Sequence, residues 1–586
     1  MKRLQTDCLR FGPYQIDAAE HLLLRHGKPV RLTPKLFETL LVLVRNAGHL
    51  VEREVLMRSV WKDTIVEDGN LAHNISVLRK LLGEGSNGHN YIETAPRHGY
   101  RFIAVVDPVG KAPGRSMSKL GSASRSAVHS VAVLPLENLS REPDQEYFAD
   151  GMTEALITEL SQIVPIRVIS RTSIMRYKGV KRPLPQIGEE LNVDAIVEGT
   201  IFRVGKRVRL TVQLLHAPKD RHLWATSYER DLRDVLALQK DLAKAIAREI
   251  SVRLTSRSKS AARRIRATAY DAYLKGRYCW NLRTDEGLKK SIEHYSEAIA
   301  KDSRYALAYS GLADSYALLG VRRLGGINPR EAMVKAKVAA KKAVDLDGTL
   351  AEAHMSLAFV KFQFDWDWKG AEKEFMRAIA LNPNSATSHY RYALYLATMS
   401  RMREAMFEIN RACDLDPLSP IVATAKGRLL HFQRKYDEAI EHHRRALAIE
   451  PNFVEAHFNL GLIYEQKSMF EEAISEFRKV VRISGGASFW SAALGHAYAM
   501  AGRTKPARKI QSQLQKLSSR PSGVSPFDMA WMCLGLGETD AAFEWMERAV
   551  QERCGPLVYQ KIEPALDLLR PDPRFQDLLR RIGLSH

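Results

Sequence analysis

Residues 70–83 read NLAHNISVLRKLLG, and the side chains they carry have the chemistry to meet a nucleic acid. At 100° per residue, Leu71, Ile75, Leu78 and Leu82 fall in one narrow stripe, which assigns them to a core. The opposite side then presents His73, Ser76, Val77 and Lys80, with Asn70, Asn74 and Arg79 on the flanks. No carboxylate stands among them. A helix that enters a major groove needs such a face, because a carboxylate there would meet phosphate. Asn and His can bond base edges, and Val can touch a thymine methyl. A second set lies in ETAPRHGYRF, residues 93–102. Pro-Arg-His-Gly separates two runs that read as strands, 91–94 and 100–103, and Pro and Gly are the turn chemistry of a hairpin. The tip holds out Arg97 and His98, with Arg101 just behind them.

These side chains need a scaffold, and the preceding residues supply its pattern. Residues 9–32 alternate apolar and polar as short strands separated by turn residues. Thr33-Pro34 then gives an N-cap followed by proline at the first helical position. It opens the helix KLFETLLVLVRNAG, which stops at Gly48. REVLMRSVW predicts a second helix, KDTIVEDG an acidic loop, and residues 70–82 a third helix ended by Gly83.

Strands, three helices and a final hairpin ending in GYRF resemble the OmpR/PhoB-type winged helix over residues 8–106. The carriers are T-P-x-x-x-x-x-L-L at Thr33 to Leu41, the Leu78-Arg79-Lys80 end of the third helix, and R-x-G-Y-R-F at Arg97 to Phe102. The resemblance implies a recognition helix in the major groove and a wing whose Arg97 enters the adjacent minor groove. There a narrow groove has enhanced negative potential. It also implies two copies on tandem half-sites and an acidic loop, Lys62 to Gly69, available to RNA polymerase. The chain departs from the family at Ser76 and Val77, where paired arginines often stand.

The winged helix is a small part of a 586-residue chain that is 45% hydrophobic and 26% charged, a length for roughly three or four domains. Its formal net charge of +21 is compatible with nucleic acid or an anionic surface. Two acid-free basic stretches, residues 110–130 and 255–267, read as linkers. Between them, residues 131–254 mix strands and helices, which predicts an α/β sandwich. The segments VAVLPLENLS, YFADGMTEAL, DAIVEGTIFRVG and LWATSYER resemble the amino-terminal α/β domain of TolB and FlgO-type domains.

From residue 268 onward the chain repeats. Gly427, Gly461 and Gly495 lie 34 apart, as do Ala405, Ala439, Ala473 and Ala507, and Pro383, Pro417 and Pro451. Two antiparallel helices approach closely where one presents Gly or Ala. A proline just past the second helix ends it. The period and the residue types resemble the tetratricopeptide repeat. They imply about eight units, a capping helix at PRFQDLLRRIGL, and a solenoid whose groove holds a protein or peptide. Trp366 and Trp368 read as packing, and His442 and His443 as a solvated face of a second helix.

Little points to catalysis. Asp150-Gly151 and Glu198-Gly199 read as turns or helix caps, and Walker A, G-x-S-x-G and H-E-x-x-H motifs do not occur. Five separated cysteines, without a Cys-x-x-Cys pair, read as buried free thiols. No signal peptide or membrane span is expected, so the reading is a soluble, cytoplasmic protein. The fold class expected is multidomain and mainly α: winged helix-turn-helix (1–109), α/β domain (131–254) and all-α repeat solenoid (268–586).

The function expected is transcriptional regulation by sequence-specific DNA binding, without enzyme activity, metal or cofactor. The layout resembles CadC-type regulators and the invasion-gene activators that pair a winged helix with repeats. The alternative is an interaction scaffold whose winged helix docks protein.

Overall fold

The computed structural model describes residues 8–18, 22–25, 28–30, 32–48, 50–60, 69–82, 91–95, 99–104, 106–108, 128–140, 145–162, 166–205, 207–250, 265–322, 327–518 and 524–585. The chain forms two compact units, Met1–Ala123 and Ser124–His586.

The first unit opens with an antiparallel sheet of Cys8–Phe11, Tyr14–Asp17, Leu22–Arg25 and Lys28–Val30. Asp107–Pro108 pairs onto the first of these strands. The helix Pro34–Arg45 starts as expected, with Thr33 Oγ1 accepting from the Leu36 amide and proline in the first turn. Helices Arg53–Val60 and Gly69–Leu82 follow. A small sheet completes the unit, in the order Leu50–Glu52, Gly99–Phe102, Ile92–Ala95. Leu71, Ile75, Leu78 and Leu82 are all buried, as their spacing predicted, against Phe37, Leu40 and Val44 of the first helix. Phe11 and Phe102 meet edge to face at 5.0 Å, tying the opening sheet to the hairpin. Gly99 is required where it stands. Its φ is +151°, and a Cβ there would lie 2.1 Å from the Val51 carbonyl oxygen.

In the second unit a sheet runs Arg167–Val168, Ser130–Val133, Ala195–Val204, Arg207–His216, Arg221–Asp231. Its first three strands are parallel and its last three form antiparallel hairpins. Val128, just ahead of the first of these strands to occur in the chain, is buried in the same core. Helices Glu146–Ser161 and Val235–Glu249 complete the layer. Both Gly-flanked carboxylates lie elsewhere than in turns or caps. Asp150 is buried in mid-helix and bonds Lys178 at 2.6 Å. Glu198 is in mid-strand and accepts from Gln213. Each neighbouring glycine marks a close approach, Gly151 to Leu274 and Gly199 to the Thr211 carbonyl.

Eight helical hairpins run from Ala267 to Gln551 among the described residues, followed by short turns at Gly555–Tyr559 and Pro564–Leu569 and the helix Pro573–Arg581. The glycines explain the period. A Cβ on Gly427 would lie 2.6 Å from the His443 ring, and one on Gly461 would lie 2.6 Å from the Phe477 ring 34 residues on. His443 is therefore not on a solvated face: it is fully buried, and burial pushes its pKa down to about 3. Cys279, Cys533 and Cys554 are free and buried, and Cys413 is partly so.

The α/β domain and the repeats are not separate bodies. One apolar core runs from Val131 through Leu156 and Leu242 into Tyr270, Leu274 and Tyr305. Glu154 pairs with Arg277, while Tyr147 and Arg203 both bond Asp271. Three successive inter-repeat loops are bonded by Ser161 and by residues within 166–176. Asn384 donates to the carbonyls of Ser161 and Ile166, Asp416 accepts from the Ser173 amide and hydroxyl, and Arg176 donates to the Ile449 carbonyl. The closing segment turns back onto earlier repeats through Tyr559 to Gln363, Glu563 to His431, and the Trp368 indole to the Ile582 carbonyl.

Candidate nucleic-acid interface

The helix Gly69–Leu82 turns its apolar stripe into the first unit's core and leaves Ala72, His73, Ser76 and Lys80 exposed. Ala72 escaped the sequence reading, although the same periodicity places it beside Ser76. The remaining candidates are held differently. Val77 is half-buried against the core rather than exposed. Asn74 donates to Thr39 Oγ1 at 3.2 Å, which turns it toward the first helix. Asn70 lies in the first turn of the helix, and its side chain is outside the described residues, as are Arg97, His98 and loop residues 62–68.

Arg79 reaches sideways to the hairpin. Its Nε and Nη2 donate to the Ile92 carbonyl at 3.2 and 2.7 Å, and Nη2 also donates to Thr94 Oγ1 at 2.8 Å. The register explains the first pair of bonds. Ile103 donates to the Tyr91 carbonyl, so Ile92, one residue on, points its carbonyl off the ladder at the sheet edge. Arg79 covers that edge and fastens helix to hairpin. Arg101 stands directly opposite Glu93 and pairs with it at 3.2 Å, leaving both side chains about half exposed. The pair partly neutralises a charge that the sequence assigned to DNA.

The arrangement is a carboxylate-free helical face of short polar and basic side chains, locked at its flank to a two-stranded hairpin. Such a face offers hydrogen-bonding groups on His73 and Ser76 and a positive charge on Lys80, the side-chain types that groove edges and phosphates accept. Among the described residues there is no cluster of three or more metal-ligating side chains. No described helix is long and apolar enough to cross a membrane.

Comparison with known proteins follows the same division. Residues 27–102 match the family described as "Transcriptional regulatory protein, C terminal", and residues 126–245 match "HilA/YgeH-like transcriptional regulator, second domain". Residues 427–468 and 454–485 match tetratricopeptide repeat families. The chain is 26% identical over 426 residues to "Transcriptional regulator HilA" of Salmonella typhimurium, covering 71% of this chain and 72% of that protein. It is 30% identical over 235 residues to "Putative adenylate cyclase 3" of Rhizobium meliloti, covering 39% of each. With "Transcriptional activator CadC" of Escherichia coli it shares 29% identity over 104 residues, 18% of this chain and 20% of that one. The chain therefore spans well under half the length of the cyclase relative and nearly three quarters of HilA. It carries the domain set of a HilA- and CadC-like transcriptional regulator: an OmpR/PhoB-type DNA-binding domain, a HilA/YgeH-like second domain and tetratricopeptide repeats.

Proposed function

We propose that this DNA-binding regulator reads specific operators by laying the helix Gly69–Leu82 in the major groove, with His73, Ser76 and Lys80 at the bases and phosphates and the hairpin tip, Arg97 and His98, in the adjacent minor groove. The observation that carries the reading is the exposed, carboxylate-free face of that helix, held to the hairpin by Arg79. Asn70 and Arg101 contribute at the margins, Arg101 only by exchanging Glu93 for phosphate. Two copies occupy tandem half-sites about one helical turn apart. The acidic loop 62–69 faces RNA polymerase, and the α/β and repeat unit receives the signal through a protein or peptide partner. The protein acts in the cytoplasm and performs no catalytic step of its own.

Binding through about four to six phosphate contacts per subunit gives a steep loss of affinity with salt. The test is a titration of operator and scrambled DNA at several salt concentrations with wild type and His73→Ala/Ser76→Ala. The proposal requires the variant to lose preference for the operator while keeping the salt slope. A variant that retains full preference contradicts it.

A further inference from the structure

We infer that the repeats hold a small-molecule site, enclosed between their inner face and the closing segment, that takes a flat, neutral ring bearing an adjacent N–H and C=O. A cavity of about 90 Å³ lies there, walled by Phe458, Phe489, Phe527 and Trp531 on the repeat side and Tyr559 and Leu566 on the closing segment. This is below the roughly 150 Å³ of a cavity that takes up benzene, so a single small ring is the largest occupant it admits. The wall also includes Gln560, which is 1% exposed and whose amide nitrogen and oxygen both lack a hydrogen-bond partner.

A buried amide without partners is costly unless something meets it. The other polar groups nearby are already engaged. The Arg428 guanidinium sits over the Tyr559 ring at 4.4 Å, Asn459 donates to the Glu455 carbonyl at 2.6 Å, and Glu563 is bonded by His431 at 2.9 Å. Asp528 accepts from Ser488 at 3.4 Å. Among the described lining residues, the side chain left open is thus the Gln560 primary carboxamide, which offers a donor and an acceptor side by side. Its complement is a cis-amide edge, as in a lactam, a pyridone or a nucleobase-like ring, which closes two hydrogen bonds with Gln560 while its faces meet the aromatic walls. Because the walls come from both the repeats and the closing segment, an occupant fastens that segment to the inner face. The site thereby couples a metabolite-sized ligand to the surface where a repeat protein receives partners.

The test uses the full chain and 2-pyridone as probe, with binding followed by saturation-transfer NMR. It is independent of the DNA-binding reading, since no DNA is present. The expected result is saturable binding in the millimolar range. Affinity is expected to fall at least about tenfold both for N-methyl-2-pyridone, which lacks the donor, and in Gln560→Leu. Gln560→Leu removes an unpartnered amide and should melt no lower than wild type. The N-methyl comparison is made on the wild-type protein and stands even if the variant misfolds. Absence of saturable binding to wild type would leave the cavity simply hydrated and overturn the inference. So would equal affinity for the N-methyl analogue, or unchanged affinity in the folded variant.

Discussion

Replacing Arg79 by Met keeps the stem of the side chain and removes the guanidinium that joins the recognition helix to the hairpin. Two of its bonds go to the Ile92 carbonyl, which the register turns off the ladder, and one goes to Thr94. Hydrogen bonds from a charged donor contribute about 1.5–3 kcal/mol each when shielded. Arg79 is only half-buried and water can reach the edge in its absence, so the net loss should be nearer ~2 kcal/mol for the set. That is roughly a 30-fold rise in the opening equilibrium of the hairpin. Hydrogen exchange on the full chain reads it directly, as faster exchange in residues 91–95 and 99–104 with the helix Pro34–Arg45 unchanged. Affinity for DNA should fall because the wing is no longer held, yet the slope of log affinity against log salt should stay the same. If exchange in the hairpin is unaltered and the salt slope becomes shallower by about one, Arg79 is a phosphate contact and the strut assignment is wrong.

Gly99→Ala should cost about 3 kcal/mol or more in the winged-helix unit, since the new methyl meets the Val51 carbonyl oxygen at 2.1 Å. Retained protection of Leu50–Glu52 in hydrogen exchange would refute this. His443 is neutral when folded, with its pKa lowered to about 3 by burial, so its stability contribution is lost as pH falls below its ordinary 6.5. His443→Phe copies the Gly461–Phe477 pair and should gain on wild type by ~2 kcal/mol between pH 7.5 and 5. A gain that does not grow toward acid pH would sink this. Asp416 shows the opposite sign: burial, only partly offset by bonds from Ser173 and neighbouring serines, raises its pKa to about 6. The folded state therefore holds a proton between pH about 4 and 6 that the unfolded state releases, and stability is lost as pH rises through that window. Asp416→Asn should flatten the dependence, raising protection of residues 166–174 at pH 7.5 by up to ~3 kcal/mol without effect at pH 4.

Local rules carried most of what was legible in the sequence. Thr33-Pro34, the stripe from Leu71 to Leu82 and the 34-residue period each act over a few residues or repeat often, so the order and spacing of residues alone locate them. What escaped depends on neighbours far along the chain. Arg79 is a flank residue on its helix, and only the off-ladder carbonyl of Ile92 draws it away from the outward face. Val77 faces outward by periodicity, yet the core extends far enough to half-cover it. His443 looked solvated beside His442 because pairs of His carry no apolar signal, while Gly427 opens the space that buries its ring. The fusion of α/β domain and repeats rests on contacts such as Ser173 to Asp416, 243 residues apart, for which no periodic pattern exists.

The most direct test of DNA reading by the helix and hairpin is capture and sequencing of genomic DNA bound by the full-length protein. It would be run beside Arg97→Ala and the triple variant His73→Ala/Ser76→Ala/Lys80→Ala. Discrete sites sharing a repeated half-site, weakened by Arg97→Ala and lost in the triple variant, are the predicted result. Salt-sensitive binding spread without sequence preference and unchanged in both variants would contradict it, and would move the protein's activity to the repeats.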